Sequence, residues 1–235
     1  MIMKRVAPVA LCLLALGASV AAQESPEAAP AKAAVQTKES QAAMTPSEAL
    51  ARLKAGNARF VANTPTRRDW QAKVVATAAG QYPFAAVLAC MDSRAPIEAV
   101  FDQGLGDVFG IRIAGNIVND DELGSLEYAV KVGAKLIVVL GHTECGAVKG
   151  AIDRVELGNL TALLAKIRPA VDAAHCSNAH DAECVTKVAE ENVRHSMAEI
   201  RARSPYLAKA LDAKQVALAG AIYDVATGKV TFLEQ

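Results

Sequence analysis

Three short apolar runs most constrain what this chain folds into: residues 84–89, 107–113 and 135–140, the last carrying Leu-Ile-Val-Val-Leu. Runs of this length are short for core helices and lack the strict polar alternation of a half-exposed strand. They suit strands of a parallel sheet covered on both faces. The stretches between them, 96–103 and 121–132, read as crossover helices, which gives a βαβαβ core with right-handed connections. A further strand is expected over 215–222. Asp224-Val225-Ala226-Thr227-Gly228 then reads as a hairpin turn into a last strand at 230–233, antiparallel at the sheet edge. The fold class is therefore α/β, a mostly parallel sheet flanked by helices with an antiparallel edge strand.

Ahead of the first strand, Thr45-Pro46-Ser47-Glu48 is a capping box with Pro at the first helical position, so 46–62 is a helix. A second helix is expected over 70–79, closed by Gly80. Residues 145–203 read as helical, interrupted at Gly158 and at the polar segment 175–181. Residues 23–44, rich in Ala, Glu, Gln and Pro without a sustained apolar period, read as a flexible tether. A poorly capped Ala-rich helix is the alternative there. The folded domain is placed at 45–235.

The first 22 residues read as a signal peptide. Lys4 and Arg5 precede a short apolar run at 6–17, and Ser19-Val20-Ala21-Ala22 offers small residues for cleavage after Ala22. The run is too short for a permanent membrane anchor. Cys12 lies inside it behind Leu11, where a lipobox wants a small residue, so lipidation is set aside. A periplasmic or secreted protein, with no membrane attachment after cleavage, is the expectation. Lys plus Arg and Asp plus Glu balance at 25 each. Such a chain has no field for gripping nucleic acid or acidic membranes, and a small diffusing substrate is the better default.

The chemistry collects at strand ends. Cys90-Met91-Asp92-Ser93-Arg94 follows the first strand, and His142-Thr143-Glu144-Cys145 follows the third. Ligands of open α/β sheets bind at the carboxyl ends of strands. A lone Cys after a strand is usually a small buried hydrophobe. Two thiols and an imidazole at two such ends are more specific, because two Cys and one His match catalytic zinc sites that keep a fourth position open. Cys90, His142 and Cys145 are thus the candidate ligands for one zinc ion per chain.

These motifs resemble those of the β-class carbonic anhydrases over about residues 46–235. Gly106-Asp107-Val108-Phe109 with Arg112, Ala114-Gly115-Asn116 and Ser125-Leu126-Glu127-Tyr128-Ala129 add to the likeness. The resemblance implies zinc-dependent, reversible hydration of carbon dioxide to bicarbonate and a proton, through zinc-bound hydroxide. Asp92 would accept from that hydroxide, and Arg94 would keep Asp92 ionised and turned from the metal. Gln81, Phe109 and Tyr128 match the family's substrate pocket, which draws partly on a neighbouring subunit. Core packing is the other reading for Phe109 and Tyr128. Dimers, or dimers of dimers, built on the sheet and on N-terminal helices that pack on the partner are implied too. Some members hold regulatory bicarbonate with a Trp three residues before the first Cys ligand. Val87 stands there instead, and Ala89 replaces a Gly, although Arg112 matches the Arg of that site. An open site with Asp92 on Arg94 is therefore expected.

Cys176 and Cys184 are eight apart, flanked by His175 and His180. They form either a disulfide closing a short loop or part of a second metal site, and the disulfide is the simpler reading. His195 sits in a polar helix, and no residue identifies itself as a proton shuttle. Three other functions compete. Hydrolysis of carbonyl sulfide or carbon disulfide would use the same fold and metal. A non-catalytic zinc-stabilised sensor or binding domain would have no use for Asp92 and Arg94, and a thiol redox protein would usually show Cys-x-x-Cys, which this chain lacks.

Overall fold

The computed structural model describes residues 35–234; the leader, Cys12 and most of the segment read as a tether lie outside the described residues. The elements run α1 (Lys38–Ala43), α2 (Pro46–Val61), α3 (Trp70–Thr77), β1 (Ala85–Ala89), α4 (Ile97–Val100), β2 (Val108–Arg112), a 3-10 turn (Ala114–Asn116), α5 (Asp120–Lys131) and β3 (Leu136–His142). Then come α6 (Gly146–Ile152), α7 (Gly158–Ala165), α8 (Arg168–Ala173), α9 (Ala182–Arg203), α10 (Pro205–Asp212), β4 (Ala217–Tyr223) and β5 (Val230–Phe232). The sheet order is β2-β1-β3-β4-β5. Its first four strands pair in parallel, and β4 pairs antiparallel with β5.

Both sheet faces are covered, which is why the central strands are apolar throughout. Ala86, Leu88, Ile137 and Val139 face a layer carrying Leu126 of α5 and Val188, Val193 and Ile200 of α9. Their strand neighbours Ala85, Val87, Leu136, Val138 and Leu140 point the other way, onto Ala49 and Leu53 of α2 and Ile97 and Val100 of α4. This alternation is the two-residue period of a strand read from two buried sides. In β3, Gly141 is required by close packing: a Cβ there would sit 2.8 Å from Val193 Cγ2 and 2.9 Å from Ile222 Cδ1.

Helix ends follow their capping residues. Thr45 caps α2 by accepting from the Glu48 N–H, and Glu48 Oε2 accepts in return from Thr45 N at 2.7 Å. Asp181 starts α9 by accepting from the N–H groups of Glu183 and Cys184. The crossover expected over 96–103 is shorter, because Asp102 takes a positive φ of 45° that no helix continues. The Asp102 carboxylate is buried and accepts from Arg59 Nε at 2.5 Å, Thr66 Oγ1 at 2.7 Å and an Arg68 guanidinium N–H. Burial opposes its charge, yet the bonds from Arg68, Thr66 and Arg59 prevail and hold its pKa down to about 2.

The start of the folded domain needs correcting. Helix α1 lies inside the segment read as a tether, where a poorly capped helix is the alternative reading, and it is in fact capped by a Thr37–Ser40 box. Its Gln41 is buried and donates through Nε2 to Pro83 O at 2.7 Å. Gly133 makes room for it, since a Cβ there would meet Gln41 Oε1 at 2.5 Å. The helix docks through an amide instead of an apolar stripe, so hydrophobic periodicity gives no sign of it.

Candidate metal centre

The sheet register brings the expected ligands together. Ala89 pairs with Leu140, so Cys90 leaves β1 beside the end of β3, where His142 is the last residue. Glu144 turns the chain with a φ of 56°, and Cys145 becomes the residue that opens α6. All three ligand candidates are buried, and their ligand atoms lie within 4.8 Å of one another. Cys90 Sγ and Cys145 Sγ are 4.0 Å apart. Tetrahedral zinc with bonds of about 2.3 Å would set two sulfurs about 3.8 Å apart. His142 Nδ1 sits 2.8 Å from Thr143 O, which fixes its proton on that nitrogen. Nε2 is left buried, with no hydrogen-bond partner and its lone pair toward the thiols. The trio fits a zinc ion.

Charges at the trio favour a cation. The hydrogen bond from Cys145 holds the Cys90 thiol far below its ordinary value against the effect of burial, with help from His142 and the Gly115 N–H. That same bond, together with burial, pushes Cys145 up. For His142, burial disfavours the charged ring, but the Cys90 sulfur beside it, the Thr143 carbonyl and Asp92 raise the pKa overall. Two sulfurs and an imidazole that compete for protons in this way are all satisfied by one divalent ion.

Asp92 is turned onto Arg94. Its Oδ1 accepts from Arg94 Nε at 3.0 Å and from the Arg94 N–H at 2.9 Å, and its Oδ2 accepts from Nη2 at 2.8 Å. The Arg94 bonds keep the carboxyl well below the usual carboxylate range despite partial burial. Asp92 Oδ2 also lies 3.8 Å from His142 Nε2, at the edge of the trio. The loop carrying these groups is tied from the sheet. Arg112, at the end of β2, donates to Cys90 O at 3.2 Å and Asp92 O at 2.5 Å, and Tyr223 of β4 donates to Arg94 O at 3.2 Å. Sequence singles out Arg112 only by likeness and passes over Tyr223, because a donor aimed at a loop carbonyl leaves no pattern in the chain.

The pocket residues, expected partly from a neighbouring subunit, are not gathered at the trio within one chain. Gln81 precedes β1, and the five residues of that strand separate its end of the sheet from Cys90, a span of about 16 Å. Phe109 pairs with Ala86, well short of the strand end, and packs edge-on against Tyr128 with ring centroids 6.1 Å apart. Tyr128 is 57% exposed. These three residues therefore do not meet the trio of their own chain. Cys176 and Cys184 form a disulfide, which removes the reading of a second metal site with His175 and His180. His195 lines a small cleft with Lys166, Glu199 and Arg203, apart from the trio.

A parallel α/β sheet bearing one thiolate–imidazole metal centre at its carboxyl ends, with a carboxylate–guanidinium pair beside it, defines a class of metal-dependent enzymes. Residues 85–230 match the family profile described as carbonic anhydrase. The chain is 37% identical to a carbonic anhydrase of Mycolicibacterium smegmatis over 186 residues, 76% of this chain and 88% of the relative. It is 33% identical to one from Pseudomonas aeruginosa, over 76% and 85% of the two chains. Among solved structures, a β-carbonic anhydrase of Aspergillus fumigatus superposes with a TM-score of 0.64 at 28% identity, covering 80% of this chain and 90% of that one. The tetrameric β-carbonic anhydrases of Sordaria macrospora include a match with a TM-score of 0.61 at 26% identity, covering 69% and 90%. This chain belongs to the β-class carbonic anhydrase family.

Proposed function

We propose that the protein is an exported carbonate dehydratase that hydrates carbon dioxide reversibly to bicarbonate and a proton. The observation that carries this reading is the Cys90–His142–Cys145 trio with the Asp92–Arg94 pair at its edge. Zinc held there supplies a Lewis acid and brings the pKa of water toward about 7. Asp92, kept ionised by Arg94, can only accept. It therefore takes a hydrogen bond from the attacking oxygen at Oδ2 and aims that oxygen's free lone pair at carbon dioxide. Arg94 holds the carboxylate away from the ligand set, and Arg112 and Tyr223 fix the loop that carries both residues.

The site is completed by a second chain in this reading. Gln81 stands at the wrong end of its own sheet, and α3 beside it exposes Trp70, Val74 and Val75. A partner that covers this apolar face would receive Gln81 near its own metal centre, with Phe109 and Tyr128 forming an apolar wall. The leader motif at residues 1–22 supports export to the periplasm or beyond; fractionation should then find the protein outside the cytoplasm with Gln23 as its first residue.

Stopped-flow hydration of carbon dioxide by residues 23–235 tests the activity. The wild type should carry one zinc per chain and be active at mildly alkaline pH, and Cys90→Ser should lose the metal. Asp92→Asn should keep zinc and a normal melt while losing activity roughly a hundredfold or more. A zinc-loaded wild type without activity would overturn the reading.

A further inference from the structure

The turn at Ala114–Asn116 carries two consecutive positive φ values, 70° at Gly115 and 42° at Asn116. Only Gly fits at 115, because a Cβ there would also meet Ile167 Cδ1 at 2.5 Å. From this turn the Gly115 N–H donates to Cys90 Sγ at 3.3 Å. The turn is closed by its own bond from the Asn116 N–H to Ile113 O at 3.0 Å, and it is held from outside as well. Two side chains of α9 grip its carbonyls: Asn192 Nδ2 donates to Gly115 O at 2.7 Å, and Ser196 Oγ donates to Asn116 O at 3.0 Å. They are four residues apart, on one face of α9, and both are almost fully buried.

Asn192 is present for its donor. Its Oδ1 is buried with no hydrogen-bond partner, a cost that a purely structural position would shed by becoming apolar. The opposite orientation of the amide would set two oxygens against each other at Gly115, so the acceptor fixes the assignment.

We infer that Asn192 is a positioning residue for the metal centre: by gripping Gly115 O it aims the Gly115 N–H at the Cys90 sulfur. A hydrogen bond to a ligating thiolate withdraws electron density from it, so the metal keeps more of its Lewis acidity than two unrelieved thiolates would leave. Ser196 supports the same turn one residue further on. The inference rests on the reading of Cys90 as a ligand.

The test uses the full mature chain with cobalt in place of zinc, since sulfur-to-cobalt charge transfer reports the electron richness of the thiolates directly. Asn192→Leu removes the donor at nearly constant volume. It should bind one cobalt per chain and melt cooperatively, with the charge-transfer band moved to longer wavelength. Zinc affinity, measured against a chromophoric chelator, should fall roughly tenfold to a hundredfold. An unmoved band in Asn192→Leu overturns the inference whatever the activity does. If that variant does not fold, Ser196→Ala is read on the same criterion: a smaller shift of the same sign supports the inference, and no shift overturns it. A wild type without any sulfur-to-cobalt band would instead sink the ligand reading itself, so the two failures are distinct.

Discussion

At Asp102 a single carboxylate gathers donors from three residues that lie 34 to 43 positions away in the chain. Its pKa, held down to about 2, lies below the value near 3.9 expected in the unfolded chain. The stabilisation is therefore complete above about pH 5 and is lost as pH falls through about 4 toward 2. Asp102→Asn should flatten that acid limb and lower stability at neutral pH by about 3 kcal/mol, read by urea unfolding at several pH values. Nothing in the sequence marks this residue, because its partners are distant and its backbone turn is local. Cys90, His142 and Cys145 are legible for the opposite reason. Thiols and imidazoles are chemically distinctive, and strand ends place them at points that hydrophobic runs reveal. Arg112, Tyr223 and Asn192 lie between these cases: each acts on a backbone carbonyl, and any carbonyl will serve.

The elements themselves were largely written in residue patterns. Buried strands show as apolar runs, and α2 shows as a capping box followed by spaced Leu50 and Leu53. Helix α1 is legible only as an alternative to a tether, because a single glutamine amide docks it. The entry to α9 combines both kinds of signal: Asp181 caps it, and the Cys176–Cys184 bridge ties its first turn to the loop after α8. Because α9 carries Asn192 and Ser196, this end of the helix also bears on the turn beneath the metal trio. Replacing both cysteines by Ser should lower unfolding stability by about 2–3 kcal/mol on the loop-closure model. Chemical denaturation of the oxidised protein and of the double variant would show the difference, while zinc content stays unchanged.

For the whole molecule, the question is which chain's Gln81 serves which metal. Chains carrying Gln81→Ala and chains carrying Cys90→Ser each lack one part of the proposed site. If the site spans two chains, co-refolded mixtures should exceed the sum of the separate variants and approach about a quarter of wild-type activity, since half the dimers are mixed and each then holds one intact site. Activity that never exceeds that sum would take Gln81 out of the chemistry of the metal site. No pattern in the sequence settles this point, because strand periodicity reports which face is buried and not which molecule buries it. The disulfide has one more consequence, for the order of assembly. Four cysteines in the folded domain allow three complete pairings, and only one of them joins the two that close an eight-residue loop. In a disordered chain that loop closes more readily than the 55-residue span from Cys90 to Cys145, by about 1.7 kcal/mol of chain entropy. Oxidation of a newly made chain is thus steered toward the bridge that ties α9 first, ahead of any pairing of the two ligand thiols.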